Sequence, residues 1–495
     1  MISLTHEDQV GLLRTLAGMG GHGRAEGESR ERFPRTFYPV AEHARAFDPE
    51  VVLIIGPRGS GKTALFRAVI ELDLLPAIAR HAPDVRLPPL DAHRTTWISG
   101  YPIGAGFPDA RGLRNFVGKR SSTPESTLEL WLTYLARILS TRLDKASQET
   151  LRPLLSLQGG DVMTNYDKFR SLGDAVVLAL DRLDEALRRA DARVFIGYDE
   201  LDTLGAPDWE TMSAGIRGLV AFWASYARRW KRIRAKIFIR TDLFRRHATA
   251  GGADLAKLAA NRAELEWSDK NLYSMLIKRV ANASDELRQY CEGARLRFED
   301  DDELGAVPLV LRAEHARPLV DRMVGPYMGA NLKKGLVFRW LLDHIRDGKG
   351  NALPRPLVRL VEEAAQRELN FGAAARPPRL LTPVSFLVAL DVVSQEHVTQ
   401  ATDEWPWLTG VRSRLAGDQV PWDRRQLLER RLAVNWDKSW SGSVETRPPV
   451  DDPAQFVDYL LEIGVFRERS DGRIDVQDLF LAGLGLKRKG GVRRK

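Results

Sequence analysis

Cysteine is almost absent. Cys291 stands alone in 495 residues, so no disulfide can form within the chain, and without a Cys or His group at ligand spacing there is no case for structural zinc. Long apolar runs are missing too: nothing approaches the roughly 20 apolar residues that a membrane helix needs. The opening MISLTHEDQVGLLRTL lacks a basic segment followed by an apolar stretch and a cleavage site, so neither export nor a membrane partner is expected, and the cytosol suits this cysteine usage best. No repeat of fixed period suggests a solenoid. No histidine pairs with a nucleophilic serine or cysteine, which removes hydrolase triads.

What is present describes a globular chain, with 44% hydrophobic and 28% charged residues. Single cores usually stop growing at roughly 250 to 300 residues, so two or three domains are expected. A formal charge of +8 favours polyanionic partners through long-range attraction.

Residues 1–35, containing GMGGHGRAEGESRERFPR, are glycine-rich and charged with little periodicity, and read as a mobile or loosely packed lead-in. Val51 to Ile55 is a continuous aliphatic run, the pattern of a strand buried on both faces, followed by a glycine-rich turn and the helically spaced KTALFRAVIELDLL. Residues 76–192 read as a largely helical insertion within a core spanning 36–270. Two further buried-type strands appear at ARVFIGYDE and AKIFIRTD, and alternating strands and helices imply a parallel sheet. A helical region over 271–375 follows. The segment 376–495 combines helices with a hairpin around Ser470, Asp471 and Gly472, which together suggest a winged-helix-like domain.

The sequence GPRGSGKT meets the G-x-x-x-x-G-K-[ST] spacing between a strand and a helix. In such a loop Gly56, Pro57, Arg58, Gly59, Ser60, Gly61, Lys62, Thr63 and Ala64 wrap phosphate oxygens with backbone amides at a helix start. Lys62 brings a compact positive charge to the outer phosphates, and Thr63 brings a hydroxyl to Mg²⁺. In VFIGYDELD a strand ends in Asp199 and Glu200, so both carboxylates leave the sheet at its carboxyl edge, where the loop also lies. Asp199 can hold the Mg²⁺ shell through water. Glu200 can orient and polarise an attacking water, the role that separates hydrolysis from binding. Arg240, Thr241 and Asp242 end the next strand; any of them can sense the γ-phosphate, and position favours Thr241.

The order of these motifs resembles the AAA+ and related STAND ATPases, including the origin-recognition branch and ATPases of bacterial antiphage defence loci. FYPVAEHARAF stands where such proteins place a helix that helps enclose adenine. GPRGSGKT looks like Walker A, VFIGYDE like Walker B and FIRTD like sensor 1. GNALPRPLVRLVEEAA is similar to the sensor 2 segment of a helical lid, where Arg355 would reach the nucleotide. The same PR pair also suits a proline-started helix with a surface arginine. The resemblance covers roughly 35–370 and implies an α/β P-loop NTPase with a parallel sheet, a helical insertion, a helical lid and a winged-helix-like domain. ATP and Mg²⁺ are its cofactors, and hydrolysis of ATP to ADP and phosphate its reaction. The long interval from Lys62 to Asp199 points to a divergent branch.

Between Arg228 and Arg246 lie Arg229, Lys231, Arg232, Arg234, Lys236, Arg240 and Arg245, with Asp242 the one acid among them. Such density suits an arginine that completes a neighbouring subunit's site, with Arg245 or Arg246 the candidates, or equally a solvated helix end. The terminal KRKGGVRRK has six bases and no acid and follows the hairpin arginines Arg467, Arg469 and Arg473, a surface suited to nucleic-acid phosphates. The expected partners are therefore nucleic acid, DNA ahead of RNA, or a protein effector, with a homo-oligomer forming on ATP binding. Two rivals remain open: an ATP-binding scaffold that oligomerises without turnover, and a P-loop phosphotransferase.

Overall fold

The computed structural model describes residues 4–20, 27–101, 107–119, 124–204, 208–248, 258–436, 440 and 446–489, and the chain divides into two compact units, 39–266 and 1–38 with 267–495.

The unit 39–266 is built on a five-stranded sheet of β1 (Leu53–Gly56), β2 (Thr95–Ser99), β3 (Arg193–Tyr198), β4 (Ile233–Arg240) and β5 (Ala263–Glu264), in the order β2-β3-β4-β1-β5. Every pairing is parallel. Burial on both faces explains the apolar runs 53–55, 194–196 and 237–239, since helices must cover a parallel sheet on each side. One core gathers Leu53, Ile55, Ile196, Tyr198, Ile237 and Ile239 with Trp131, Leu135, Leu180, Phe222 and Trp223 from the helices. The longest of those helices, Val162–Arg189, starts on Asp161, whose carboxylate accepts from the Thr164 amide.

Residues 76–192 are largely helical but also hold a strand not expected from the sequence. They include β2, which pairs with β3 from Thr95↔Arg193 to Ser99↔Gly197. Apart from the short Leu75–Arg80, the α-helices come after it, at Ala110–Lys119, Pro124–Ile138, Lys145–Leu155 and Val162–Arg189. The insertion thus sits between β2 and β3, and the AELEWS segment supplies the fifth strand.

In the second unit residues 4–20 overturn the expectation of a loosely packed lead-in over 1–35, while 1–3 and 21–26 of that segment lie outside the described residues. Thr5 caps a helix, His6–Ala17, with a reciprocal bond to Asp8, a capping box that satisfies two otherwise orphaned amides. Leu12, Leu13 and Leu16 are buried in the same core as Leu357, Val358 and Val361 of the helix Pro354–Asn370. Gln9 Nε2 donates to the carbonyls of Ala375 and Arg379, and the Gly20 amide donates to Glu362. The segments expected as a separate lid over 271–375 and a separate domain over 376–495 share this one core, which runs from Leu272 to Leu486. Cys291 lies within it, its thiol pushed up to about 12 by burial, so it is an inert packing residue. The expected hairpin forms from Phe466–Glu468 and Ile474–Val476, antiparallel, with Gly472 at φ 77 closing the turn.

Candidate functional site

The carboxyl edge of the sheet collects the residues the motifs point to. β1 runs straight into the loop 57–61, and the helix Lys62–Phe66 starts on Gly61. Gly59 and Gly61 adopt φ of 82 and 95, a left-handed backbone that side chains resist. At Gly56 a Cβ would run into the Ser60 hydroxyl and press on Leu265 Cβ at 3.2 Å. The loop therefore needs glycine at positions 56, 59 and 61. Ser60 is buried, and Pro57, Arg58, Gly59, Gly61, Lys62, Thr63 and Ala64 are half-buried around it.

Lys62 folds back over this cradle, its Nζ donating to the carbonyls of Gly56 and Pro57, each at 2.9 Å. Carbonyls are weak counterparts for an ammonium compared with phosphate oxygens. An anion seated in the loop would draw the lysine away from them.

β4 lies between β1 and β3, so the tips of those two strands stand two spacings apart, roughly 9.6 Å. The Asp199 carboxylate spans that gap to meet the Thr63 hydroxyl. Asp199 closes β3 from within. Burial pushes its carboxyl up to about 6, against the pull of the Thr63 hydroxyl, the Glu200 amide and the Lys62 ammonium. Its Oδ2 is buried with no hydrogen-bond partner, an arrangement costing a few kcal/mol in a dry interior and relieved by a cation and its waters. A magnesium ion brought in by a nucleotide fits Thr63 and Asp199. Among the described residues, no cluster of three or more His, Cys, Asp or Glu is placed to hold a metal without one.

Glu200 is half-buried and takes φ 55, ψ 31, a left-handed conformation that costs a non-glycine residue about 1 kcal/mol and is held only where neighbours insist on it. The neighbour is the turn Leu201–Thr203. Thr203 donates to the Glu200 carbonyl from its amide at 2.9 Å and its hydroxyl at 2.8 Å, and Tyr101 beyond the end of β2 bonds the Thr203 side chain. These bonds hold the backbone at Glu200, just past the end of β3.

Arg240 pairs in register with Gly56, so Thr241, the first residue of the helix Thr241–Ala248, comes one position beyond the start of the cradle. Arg240 itself is buried and bound to Asp242 and Asp202. The aspartate Asp202, three residues past Asp199, is a member of the site that motif reading passed over; the only signal for it is the second aspartate of DELD.

Arg355 belongs to the other unit. It follows Pro354 in the first turn of the helix Pro354–Asn370, half-buried, with a guanidinium nitrogen 3.3 Å from Gln400 Oε1. The arginine-rich stretch is largely paired: Arg229 with Asp181, Arg232 with Asp191, Arg234 with Glu50, and Arg240 with Asp242. Arg245 is exposed, and the Arg246 side chain falls outside the described residues. Of the basic tail, residues 490–495 are likewise outside them.

No family model matches the chain, and no curated protein matches it. Among solved structures it is similar to Cdc6p from Pyrobaculum aerophilum, over 86% of this chain and 83% of that one, at 13% identity and a TM-score of 0.27. So loose a superposition says nothing of this chain's activity.

Proposed function

We propose that residues 39–266 bind ATP with Mg²⁺ and hydrolyse it to ADP and phosphate, in the manner of an AAA+ or STAND-like switch or assembly ATPase. The observation that carries the proposal is the meeting of a loop that needs its glycines, a lysine resting on the loop's carbonyls and a buried aspartate oxygen with no partner, all at one sheet edge. In this reading the loop amides and Lys62 hold the phosphates, Lys62 giving up its two carbonyls for phosphate oxygens. Thr63 and Asp199 hold Mg²⁺, which neutralises charge developing on the phosphate oxygens. Glu200 orients the attacking water and accepts its proton. Thr241 reads the γ-phosphate, and Arg355 serves as the lid arginine.

The proposed partner is nucleic acid, DNA before RNA, or a protein effector, with assembly into a homo-oligomer on ATP binding. Its support is the hairpin end of the second unit, where Arg467, Arg469 and Arg488 converge on one buried carboxylate, Asp475, at 3.4, 3.9 and 3.1 Å. Arg488 is also held by Asp478 at 3.0 Å, so three guanidinium groups face two acids and leave one positive charge in excess, which suits a phosphate backbone. Arg473 adds nothing to that excess because it pairs with Asp471 at 2.6 Å. The resemblance to defence-locus ATPases extends the proposal to an antiphage role.

The test is phosphate release from ATP by the wild type, Lys62→Ala and Glu200→Gln, with and without double-stranded DNA at two salt concentrations, with light scattering run beside it. Expected are turnover lost in both variants, nucleotide affinity lost in Lys62→Ala alone, and stimulation by DNA that weakens with salt. Tight ATP binding without turnover would replace this reading with the non-hydrolysing scaffold. A phosphorylated acceptor would replace it with the phosphotransferase.

A further inference from the structure

We propose that Arg240 is a positioning residue that ties the Glu200 turn to the tip of β4 through Asp202, an inference that rests on the ATPase reading above. Its guanidinium is gripped at two points by Asp242, Nε to Oδ1 at 3.1 Å and Nη2 to Oδ2 at 2.7 Å. Such a fork fixes the plane of an arginine. The third nitrogen, Nη1, stands 3.5 Å from Asp202 Oδ2. The Arg240 side chain is 10% exposed and that of Asp202 46%, so the held partner is buried and the tethered one lies at the surface.

The tether joins three strand tips. Arg240 ends β4 in register with Gly56 on β1 and immediately precedes Thr241, while Asp202 lies in the turn Leu201–Thr203 that begins at Glu200. Glu200 sits in a left-handed conformation it would not keep unaided. Two hydrogen bonds from Thr203 hold the turn closed from inside. Arg240 holds it from outside, referencing it to the strand next to the phosphate cradle. A catalytic carboxylate displaced by about 1 Å loses on the order of 100-fold in rate while nucleotide affinity, set by the loop, stays as it was. Arg240 touches neither the phosphates nor the water in this scheme; it acts through the placement of Glu200.

The experiment compares Asp202→Asn, Arg240→Gln and the double variant by steady-state ATP hydrolysis and, without nucleotide, by amide hydrogen exchange over residues 201–204. Asp202→Asn alters a surface side chain and keeps the test open if Arg240→Gln fails to fold. Expected for Asp202→Asn are a kcat lower by roughly tenfold with KM within about twofold, and faster exchange at Thr203 and Leu204, whose amides close the turn. The double variant is expected to be no slower than Arg240→Gln, since both remove one link. Unchanged exchange in Asp202→Asn overturns the tether whatever the turnover. Faster exchange with unchanged kcat overturns its role in positioning Glu200, as do rate losses that simply multiply in the double variant. Faster exchange in a protein whose wild type never hydrolyses ATP upholds the tether and sinks the ATPase reading instead.

Discussion

At its amino end β4 starts where Asp184, buried on the helix Val162–Arg189, accepts from three successive amides, Lys231 at 3.1 Å, Arg232 at 2.7 Å and Ile233 at 2.9 Å. Just inside it Lys236, 0% exposed, donates to the carbonyls of Asp48 and Val51 and lies 5.4 Å from the Phe195 ring. Arg232 and Arg234 pair there with Asp191 and Glu50, and Lys236 is sealed in the core, where burial disfavours its charged form. At the carboxyl end of the same sheet the partners are provisional: Lys62 leans on two carbonyls, and Asp199 has a buried oxygen with none. The contrast separates two uses of buried charge. Satisfied groups fix the fold, whereas groups left short of a partner mark where something else binds.

The comparison breaks most readily at Glu200. Glu200→Gln is expected to lower turnover by about 10²- to 10³-fold with the unfolding midpoint and ATP affinity unchanged, read by phosphate release, thermal melting and a fluorescent nucleotide. The amino end predicts the reverse. Asp184→Ala leaves three amides without their acceptor and should cost about 3 kcal/mol in denaturant unfolding, while kcat per folded molecule holds. A fall in kcat with stability intact would mean that this end of β4 serves function after all.

How much of this was legible in the sequence depends on how local each signal is. The cradle was readable because glycine spacing, a buried run and a helical period lie within about twenty residues of one another. β3 and β4 were readable for the same reason. β2 was not: Thr95, Thr96, Trp97, Ile98 and Ser99 mix polar with apolar residues at the sheet's edge, with only Thr95 buried, and Pro-rich loops precede them. β5, two residues long, has no period to read. The helix His6–Ala17 escaped because what it packs on, Leu357 to Glu362 and the carbonyls of Ala375 and Arg379, lies more than 300 residues away in sequence. Lys236 and the acids facing Arg229, Arg232 and Arg234 were hidden likewise. A run of bases looks solvated until its distant carboxylates and carbonyls are known.

His43 carries the logic of the amino end into a pH dependence. It is buried in the 3₁₀ helix Ala41–Phe47, with Nε2 2.8 Å from the Glu266 carbonyl. Burial takes its pKa down from 6.5 to about 4, the Glu266 bond and the nearby Glu42 charge opposing. The folded value lies below the unfolded one, so the unfolded chain binds the extra proton between them. Stability from His43 is present in full above about pH 6.5 and drains away as pH falls toward 4. At pH 5 the loss is about 2 kcal/mol. Melting at pH 7 and pH 5 should show a smaller drop for His43→Gln than for the wild type, and equal drops would remove His43 from the acid limb.

The smallest effect is expected where the sequence looked most suggestive, in the arginine-rich stretch. Arg229 holds Asp181 with Nε to Oδ1 at 2.7 Å and Nη2 to Oδ2 at 2.6 Å, but its side chain is 52% exposed. Solvent screens such a pair, and Asp181 keeps the Trp230 indole N–H at 2.9 Å when the arginine is gone. Arg229→Ala should therefore cost under about 1 kcal/mol and leave kcat within about twofold, at low protein concentration and at concentrations where ATP drives assembly. A kcat that falls tenfold only in the assembled state would show that this arginine leaves Asp181 to serve a neighbouring subunit's phosphates. The permanent pairing that sets the amino end of the sheet apart would then be an exchange of partners like the one proposed for Lys62.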